Sequence, residues 1–209
     1  MRLDLGCGLR PIEGHVGVDL PLDGSTPDEA TPGQTCIDAS GIVRFDLCSG
    51  VPWPFETESV DSLYSSHLIE HVPAEGITTY QWEDLESGHL LCHVRTLDAL
   101  CWFMQEAWRV TKVGGEFLLR WPAMINEITG ALSLGAFGDP THRRFIPQRQ
   151  IQNWSRKGRE AIPAHHLGID CNWEPKRDET GAQHTLQRVF GQGTSGEVIE
   201  NEVLLVREP

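Results

Sequence analysis

Short apolar segments that end at turn signals recur along the first half of the chain, and they constrain the fold more than any other feature. Residues 2–5 are predicted to form a strand that ends at Gly6-Cys7-Gly8, and residues 15–20, 44–47 and 60–66 are predicted to form further strands. Strands of four to seven residues are too short to be stable alone. The pattern therefore predicts a sheet assembled from many short strands.

One segment has the spacing of an amphipathic helix. Between residues 97 and 110, apolar side chains recur about every 3.6 residues, with Gln105, Glu106 and Arg109 on the other side. Gly114-Gly115 is predicted to end this helix as a left-handed cap. Glu106 and Arg109, three residues apart, are predicted to form a structural side-chain pair.

Three more strands are predicted beyond this helix. Residues 116–121 form a short apolar run that Pro122 stops, and residues 185–190 and 202–207 resemble a strand pair with a glycine-rich connection. Strand-turn-helix alternation favours an α/β fold with a doubly wound, mostly parallel sheet of the seven-stranded type. Helices are expected on both faces, and the C-terminal edge strand is expected to be antiparallel.

The length of 209 residues suits one domain with a sizeable core. We expect a single domain over residues 1–209, with a core at about 2–122 and with substrate-side loops and closing strands in 123–209. Loops or insertions are expected at residues 21–40, 73–88 and 174–183.

The net charge of −13 disfavours general binding to nucleic acid or to anionic membranes, because phosphates attract Lys and Arg. No stretch approaches the roughly 18 apolar residues of a membrane span, and the first residues do not form a signal peptide. A cytoplasmic location is expected. One dense basic stretch is either a solvated helix face or a contact for an acidic substrate; it comprises Arg143, Arg144, Arg149, Arg156, Lys157 and Arg159.

The six cysteines are scattered, without a Cys-x-x-Cys pair, so reduced thiols are expected. His89, Cys92, His93 and Cys101 contain the residue types that bind zinc, but their spacing fits none of the common zinc sites. No metal site is predicted.

Five motifs occur in order along the chain. They are Leu3-Asp4-Leu5-Gly6-Cys7-Gly8, Gly17-Val18-Asp19-Leu20, Phe45-Asp46-Leu47, the segment from Ser62 to Val72 that contains Leu68-Ile69-Glu70-His71-Val72, and the segment from Phe103 to Gly115. Together they resemble the class I, Rossmann-like S-adenosylmethionine-dependent methyltransferases, and within them the small cytosolic enzymes. The resemblance covers residues 2–122.

The resemblance implies that S-adenosylmethionine is the cofactor and that Gly6-Cys7-Gly8 holds its methionine end, with Asp4 near the amino group. Glycine also suits that loop physically, because the backbone can approach a ligand closely where no Cβ intervenes. Asp19, with Leu20 beside it, matches the acid that accepts hydrogen bonds from both ribose hydroxyls.

Asp46 matches the acid that contacts the adenine amino group, and Leu47 would pack on the ring. Asp38 lies a few residues earlier and is an alternative candidate for the acid.

The acceptor side is predicted from two further segments. Ser66 and His67, after Ser65, would line the junction between cofactor and acceptor, and His71 starts the following helix as a candidate base or as a packed histidine. His142 and Arg143 are candidate acceptor contacts in the segment 138–149, which would close the pocket together with residues 73–88. His67, His71 and His142 are the candidate catalytic residues.

The sequence also departs from the family. Only 13 positions separate Gly6 from Asp19, so the usual first helix must shrink to about a turn, and Arg10 stands where many members carry a third glycine. The expected reaction is direct, in-line methyl transfer to an acceptor that the sequence does not identify, a small molecule or a biosynthetic intermediate.

Two other functions are considered. A nicotinamide-dependent oxidoreductase would need glycine at position 11, where the chain has Pro11. A non-catalytic module that keeps the fold for cofactor binding or scaffolding is the alternative to an enzyme. The oligomeric state is not predicted.

Overall fold

The computed structural model describes residues 1–20, 37–84, 90–127, 129–130, 132–160, 169–193 and 196–209, and these form a large mixed sheet, a separate hairpin and short helices. The strands are β1 (Arg2–Leu5), β2 (Val16–Asp19), β3 (Val43–Arg44), β4 (Val60–Ser66), β5 (Gly76–Asp84), β6 (Leu90–Asp98), β7 (Thr111–Pro122), β8 (Trp173–Pro175), β9 (Thr185–Gly193) and β10 (Gly196–Arg207). The helices are α1 (Ala99–Val110), α2 (Leu134–Phe137) and α3 (Arg156–Glu160), and 3-10 turns span Ile69–His71 and Gln148–Trp154.

The main sheet has the order β3-β2-β1-β4-β7-β10-β8, with β9 also paired to β10. The five neighbouring strands β3, β2, β1, β4 and β7 are parallel. Strand β10 runs antiparallel to β7, β8 and β9. The chain moves outward from β1 to β3 and then returns to β4 on the other side of β1, which makes a topological switch point between β1 and β4. The predicted fold class, a mostly parallel doubly wound sheet with an antiparallel C-terminal strand, is confirmed.

The predicted strands at residues 2–5 and 60–66 have the bounds of β1 and β4. Helix α1 begins at Ala99, two residues later than predicted, because the Asp98 side chain caps it by accepting hydrogen bonds from the N–H groups of Leu100 (2.9 Å) and Cys101 (3.3 Å). The first helix was expected to shrink to about one turn, and the segment between β1 and β2 contains turns but no helix.

Gly114-Gly115 does not cap helix α1, so this prediction is wrong. The helix ends at Val110, Thr111 turns into an extended conformation, and β7 runs through both glycines. They lie where the pairing of β4 with β7 shifts register, and Gly114 has a φ of 77°. A Cβ on Gly115 would come within 2.8 Å of the Asp61 carbonyl oxygen, so the close strand approach requires glycine.

The prediction of a loop at residues 73–88 is wrong for residues 76–84. Residues 76–84 form β5, which pairs antiparallel with β6 from Gly76↔Asp98 to Asp84↔Leu90. The acidic residues of this segment suggested a loop, but Ile77, Thr78, Thr79, Tyr80 and Trp82 are β-branched or aromatic residues that favour strands. Residues 85–88 of the same predicted loop, and residues 21–36 of the loop predicted at 21–40, lie outside the described residues.

Helical cover over the described part of the sheet is sparse, and helix α1 packs on the apolar face of β7. Phe117, Leu119 and Trp121 alternate along β7 and are buried. Phe103 of α1 packs against Phe117 with ring centroids 6.3 Å apart, and the Trp121 indole donates to the Ile146 carbonyl at 2.8 Å. On the opposite face of β7 the residues are half-exposed, and Arg120 pairs with buried Glu202 of β10 at 2.6 Å.

A buried contact fixes helix α1 to the connection between β3 and β4. The carboxylate of Glu106, a residue only 6% exposed, accepts the Trp53 backbone N–H at 2.6 Å and pairs with Arg109 at 2.7 Å. Arg109 also donates to the carbonyls of Trp53 and Phe55, both at 3.0 Å. The predicted Glu106–Arg109 pair is therefore present and joins two segments. No helix in the described residues is long and apolar enough to cross a membrane.

The Glu106→Ala substitution tests this contact. It should lower the free energy of unfolding by about 3 kcal/mol, because it leaves a buried N–H and the Arg109 guanidinium without their acceptor. Glu116→Ala is the matched control: Glu116 pairs with Lys176 at the surface, and its loss should cost less than about 1 kcal/mol. Equal losses of unfolding free energy in the two variants, measured by urea denaturation, would contradict the stabilising role of the Glu106 contact.

Candidate functional site

The loop after β1 turns sharply under Leu68. Gly6 and Gly8 have φ values of 72° and 62°, which are accessible to glycine at little cost. The Gly6 N–H donates to the Val18 carbonyl at 2.8 Å, and a Cβ on Gly6 would lie 2.9 Å from Leu68 Cδ1. Gly6 is therefore required both by its backbone conformation and by the closeness of Leu68.

The two acids nearest this loop are held by main-chain donors. Asp19, at the end of β2, accepts the Leu20 N–H on Oδ1 at 2.7 Å and the Gly8 N–H on Oδ2. Asp4 is buried and accepts the Ile12 N–H at 2.9 Å, and burial is the main cause that raises its pKa. The two predicted acids therefore lie in different places. Asp19 lines a cavity at the carboxyl ends of the strands, and Asp4 lies beneath the loop.

One cavity lies at the carboxyl ends of β1, β2, β3 and β4, beside the switch point. It measures about 220 Å³, less than the roughly 300–1,000 Å³ of a pocket that encloses a whole drug-sized ligand, so the described walls surround part of such a ligand. The cavity combines several of the predicted cofactor residues with apolar residues; it is lined by Gly6, Asp19, Leu20, Phe45, Asp46, Leu47, Cys48, Leu68, His71, Val72 and Pro73.

The structure separates the two acids that the sequence left as alternatives. Asp46 lines the cavity and accepts the Cys48 N–H at 2.8 Å. Asp38 instead pairs with Arg44 at 2.7 Å and accepts hydrogen bonds from Ser40 and Ile42, which hold the pKa of its carboxyl well below the usual range. Asp38 thus stabilises a turn, and Asp46 is the one of the two acids that lines the cavity.

His67 lies between two buried carboxylates at the end of β4. Its φ of 55° is unusual for a residue with a Cβ, and its N–H donates to the Arg120 carbonyl at 3.0 Å. Its Nδ1 lies 3.3 Å from Glu70 Oε1 and its Nε2 lies 2.9 Å from Glu200 Oε2. These carboxylates, Glu70 first, raise the pKa of His67.

Neither His67 nor the two serines before it line the cavity in the described structure. Ser66 is half-buried beside His67, and Ser65 is fully buried with an Oγ that makes no hydrogen bond. Successive side chains of a strand point to opposite faces of the sheet, which places Ser65 on the core face together with Leu63.

The candidate histidines on the acceptor side come together. His71 lines the cavity, and its ring contacts that of His142 with centroids 4.9 Å apart. The N–H groups of Arg143 and Arg144 both donate to the Glu70 carbonyl, at 2.8 and 3.0 Å. The segment around residue 142 is thereby fixed beside His71, while the Arg143 side chain is exposed.

Cys7 and Cys48 are poor nucleophiles in this environment. Burial raises the pKa of Cys7 to about 11 and that of Cys48 to about 12, and nearby carboxylates act in the same direction. Cys7 does not line the cavity; its sulfur packs against Gly17, where a Cβ would lie 2.6 Å from it.

Several cavity residues were not predicted from the sequence. Leu68, Val72 and Pro73 form one wall, and Phe45 and Cys48 extend the wall at Leu47. The available signal was their position directly after strands β3 and β4, because residues there meet at one edge of a parallel sheet. Of the residues considered for zinc, His89 and the side chains of Cys92 and His93 lie outside the described residues.

Gly6→Ala should destabilise the protein more than Gly114→Ala. Both positions have positive φ, so both variants carry a penalty of roughly 1–2 kcal/mol, but only at Gly6 does the new methyl group meet another side chain. We expect a further loss of about 1 kcal/mol or more from displacement of Leu68. Equal midpoints and slopes in urea denaturation of the two variants would refute the close contact.

Alkylation by iodoacetamide at pH 8 should be slow at Cys7 and slower at Cys48. The raised pKa values leave roughly 100-fold less thiolate at Cys7 than an ordinary cysteine has, and less again at Cys48. Reactivity should recover as the pH rises, first at Cys7. Peptide mass spectrometry measures both sites, and the urea-unfolded chain is the control; equal rates in the folded and unfolded protein would be the contrary result.

Comparison with family models and with curated proteins finds no match. Among solved structures, the chain is similar to a SAM-dependent methyltransferase from Archaeoglobus fulgidus at 14% identity and a TM-score of 0.48, covering 99% of this chain and 85% of that one. It is also similar to an arsenic(III) S-adenosylmethionine methyltransferase from Chlamydomonas reinhardtii at 13% identity and a TM-score of 0.49, covering 99% and 63%.

A third similar structure is a phosphoethanolamine N-methyltransferase from Haemonchus contortus in complex with S-adenosyl-L-methionine, at 15% identity and a TM-score of 0.42, covering 100% and 48%. At such values we argue function from the geometry of this chain alone. The chain's own topology, a doubly wound sheet with an antiparallel C-terminal strand, agrees with the fold that the resemblance to the class I, Rossmann-like methyltransferases implies.

Proposed function

We propose that the protein is an S-adenosylmethionine-dependent methyltransferase that binds its cofactor in the cavity at the carboxyl ends of β1–β4. The observation that carries the proposal is the arrangement of Asp19, Asp46 and the glycine loop around one apolar space at the switch point. This position is where doubly wound sheets bind nucleotides. The polar and apolar parts of the cavity match the two kinds of surface that a nucleoside presents.

The residues present fit the nucleoside. Each Asp19 oxygen accepts one main-chain N–H, and a carboxylate has about four acceptor sites, so two sites stay available for vicinal hydroxyls. Leu20, Phe45 and Leu47 supply apolar surface for a flat ring, and Asp46 lies beside it to accept an amino group. Leu20 is 56% exposed, which leaves surface for a ligand to cover.

The methionine end is assigned to the side of the cavity at Gly6. The backbone there has no Cβ and turns with positive φ, which lets a ligand approach the main chain closely. Asp4, beneath this loop, adds negative charge on the side where an ammonium group would lie. Cys7 and Gly8 contribute through their main chain, because the Cys7 side chain packs away from the cavity.

The acceptor would approach from the side of His71 and the segment that carries His142 and Arg143. When bound, the cofactor supplies a methyl group that its sulfonium centre already activates. The contribution of the chain is alignment, which is worth several kcal/mol, and the removal of a proton where the acceptor has one. Both ring nitrogens of His67 already face carboxylates, so His67 with Ser66 shapes the end of β4, and His71 is the histidine that borders the cavity.

The remaining predictions belong to the same proposal. One core cluster contains residues from Leu3 to Leu205, which supports a single domain over 1–209. We propose a small molecule or a biosynthetic intermediate as acceptor and a cytoplasmic location. The net charge of −13 disfavours nucleic acid as substrate.

Calorimetric titration with S-adenosylhomocysteine tests the proposal. The wild-type protein should bind in the micromolar range, and Asp19→Ala should weaken binding at least about tenfold, because it removes charged acceptors of two hydrogen bonds. Asp46→Asn should weaken it less, since an amide oxygen still accepts.

Asp61→Asn is the control. Asp61 is an exposed carboxylate at the opposite end of β4 that pairs with Lys112, and its substitution should leave the affinity unchanged. Absence of binding by the wild-type protein would refute the methyltransferase proposal. Binding without turnover of any acceptor would instead identify a cofactor-binding module.

A further inference from the structure

Three side chains that can bind a metal ion converge beside the cavity. Glu70 and His71 belong to the 3-10 turn Ile69–His71, and His142 belongs to the segment docked against it. One ligand atom of each residue lies within 4.8 Å of the others. The two segments are about 70 residues apart in the chain, so only the tertiary fold brings these groups together.

The Glu70 carboxylate is buried, and its nearest polar partners are histidine rings. The residue is 2% exposed, and neither of its carboxylate oxygens accepts a hydrogen bond in the described part of the chain. The nearest nitrogens are His67 Nδ1, 3.3 Å from Oε1, and His71 Nε2, 4.0 Å from the same oxygen. Burial of a carboxylate is costly unless a cation compensates it, and this carboxylate points toward the two histidines.

Both histidines have the orientation of metal ligands. His71 Nδ1 lies 3.2 Å from the Thr141 carbonyl oxygen, and His142 Nδ1 lies 2.9 Å from the Ala136 carbonyl oxygen. A carbonyl only accepts, so each Nδ1 donates its proton, and in the neutral ring Nε2 is then the nitrogen with the lone pair. Metal-ligating histidines characteristically donate their other N–H to a carbonyl or carboxylate in this way.

The two segments are held together without the help of an ion. The N–H groups of Arg143 and Arg144 donate to the Glu70 carbonyl, and the Arg144 Nε donates to the Val72 carbonyl at 2.9 Å. Zinc bonds of about 2.0–2.1 Å place neighbouring ligand atoms about 3.4 Å apart in a tetrahedral site. Side-chain movements of about 1 Å would therefore complete the coordination.

We propose that Glu70, His71 and His142 bind a divalent first-row transition metal ion, with Zn²⁺ as the reference ion. Two imidazoles and one carboxylate are a known set for open metal sites, in which a further position takes water or substrate. The Asp139 carboxylate, whose Oδ2 lies 3.8 Å from His142 Nε2, is close enough to orient such a water molecule.

The open position would face the cavity, because His71 belongs to its wall. An ion there would bind an oxygen of the acceptor and lower the pKa of a hydroxyl group. The expected acceptor is therefore a molecule with a hydroxyl or carboxylate oxygen near the methylated atom. This role rests on the proposed function, whereas binding of the ion does not.

Metal titration of the purified full-length chain, after treatment with a chelator, tests the site. Equilibrium dialysis measures Zn²⁺ affinity, and Co²⁺ reports its ligands through visible absorption. We expect one equivalent of strongly bound ion, at least tenfold weaker binding in Glu70→Gln and in His142→Gln, and loss of the Zn²⁺-dependent rise in Tm. His184→Gln is the control, since His184 contacts Glu202 away from these ligands.

Three results would overturn the site: no binding by the wild-type chain, unchanged affinity in both variants, or a thiolate-to-cobalt charge-transfer band that assigns the ion to cysteines. Circular dichroism of the metal-free variants shows whether they fold, and Glu70→Gln keeps the shape of the side chain. Titration of the same variants with S-adenosylhomocysteine separates the two proposals. Retained S-adenosylhomocysteine binding without metal binding refutes this site alone, and metal binding without S-adenosylhomocysteine binding refutes the methyltransferase proposal alone.

Discussion

The buried contact between Trp53 and helix α1 supports both the core and the cavity. The Trp53 backbone N–H donates to Glu106, its ring packs against Phe103 with centroids 5.2 Å apart, and its indole donates to the Leu47 carbonyl at 3.0 Å. Leu47 forms part of the cavity wall. Trp53, which is fully buried in the core, therefore helps to position Leu47 in the cavity wall. A displacement of helix α1 would move this wall through the Trp53 side chain.

The site itself combines main-chain donors with carboxylates. Asp19 is oriented by the N–H groups of Gly8 and Leu20, and Asp46 by that of Cys48, so neither acid depends on a flexible side-chain partner. Such fixed acceptors reduce the entropy lost when a ligand binds. The raised pKa values of Cys7 and Cys48 keep both thiols protonated, so these side chains contribute packing to the region and are poor nucleophiles.

Several charged side chains gather at the carboxyl end of β4. His67 faces Glu200, a buried residue of β10, while Glu70 extends toward His71 and His142. Parallel strands place their carboxyl ends at one edge, and the antiparallel return of β10 beside β7 adds acidic residues to the same region. The buried Glu70 carboxylate therefore lies among three histidines, of which His67 pairs with it at 3.3 Å and the other two are the proposed metal ligands.

The sequence by itself determined the short strands at residues 2–5 and 60–66, the turn at Gly6 and the position of Asp19, because each depends on local apolar patterns and on glycine geometry. The irregular pairing at Gly114 was decided by contacts between strands, which local signals do not encode. The hairpin of β5 and β6 had a local signal in the β-branched and aromatic residues of β5, but the acidic residues of the same segment suggested a loop. The choice of Asp46 over Asp38 needed the fold, since Arg44 engages Asp38 only in the folded structure. The meeting of Glu70 and His71 with His142 likewise came from tertiary structure, through hydrogen bonds between segments far apart in the chain.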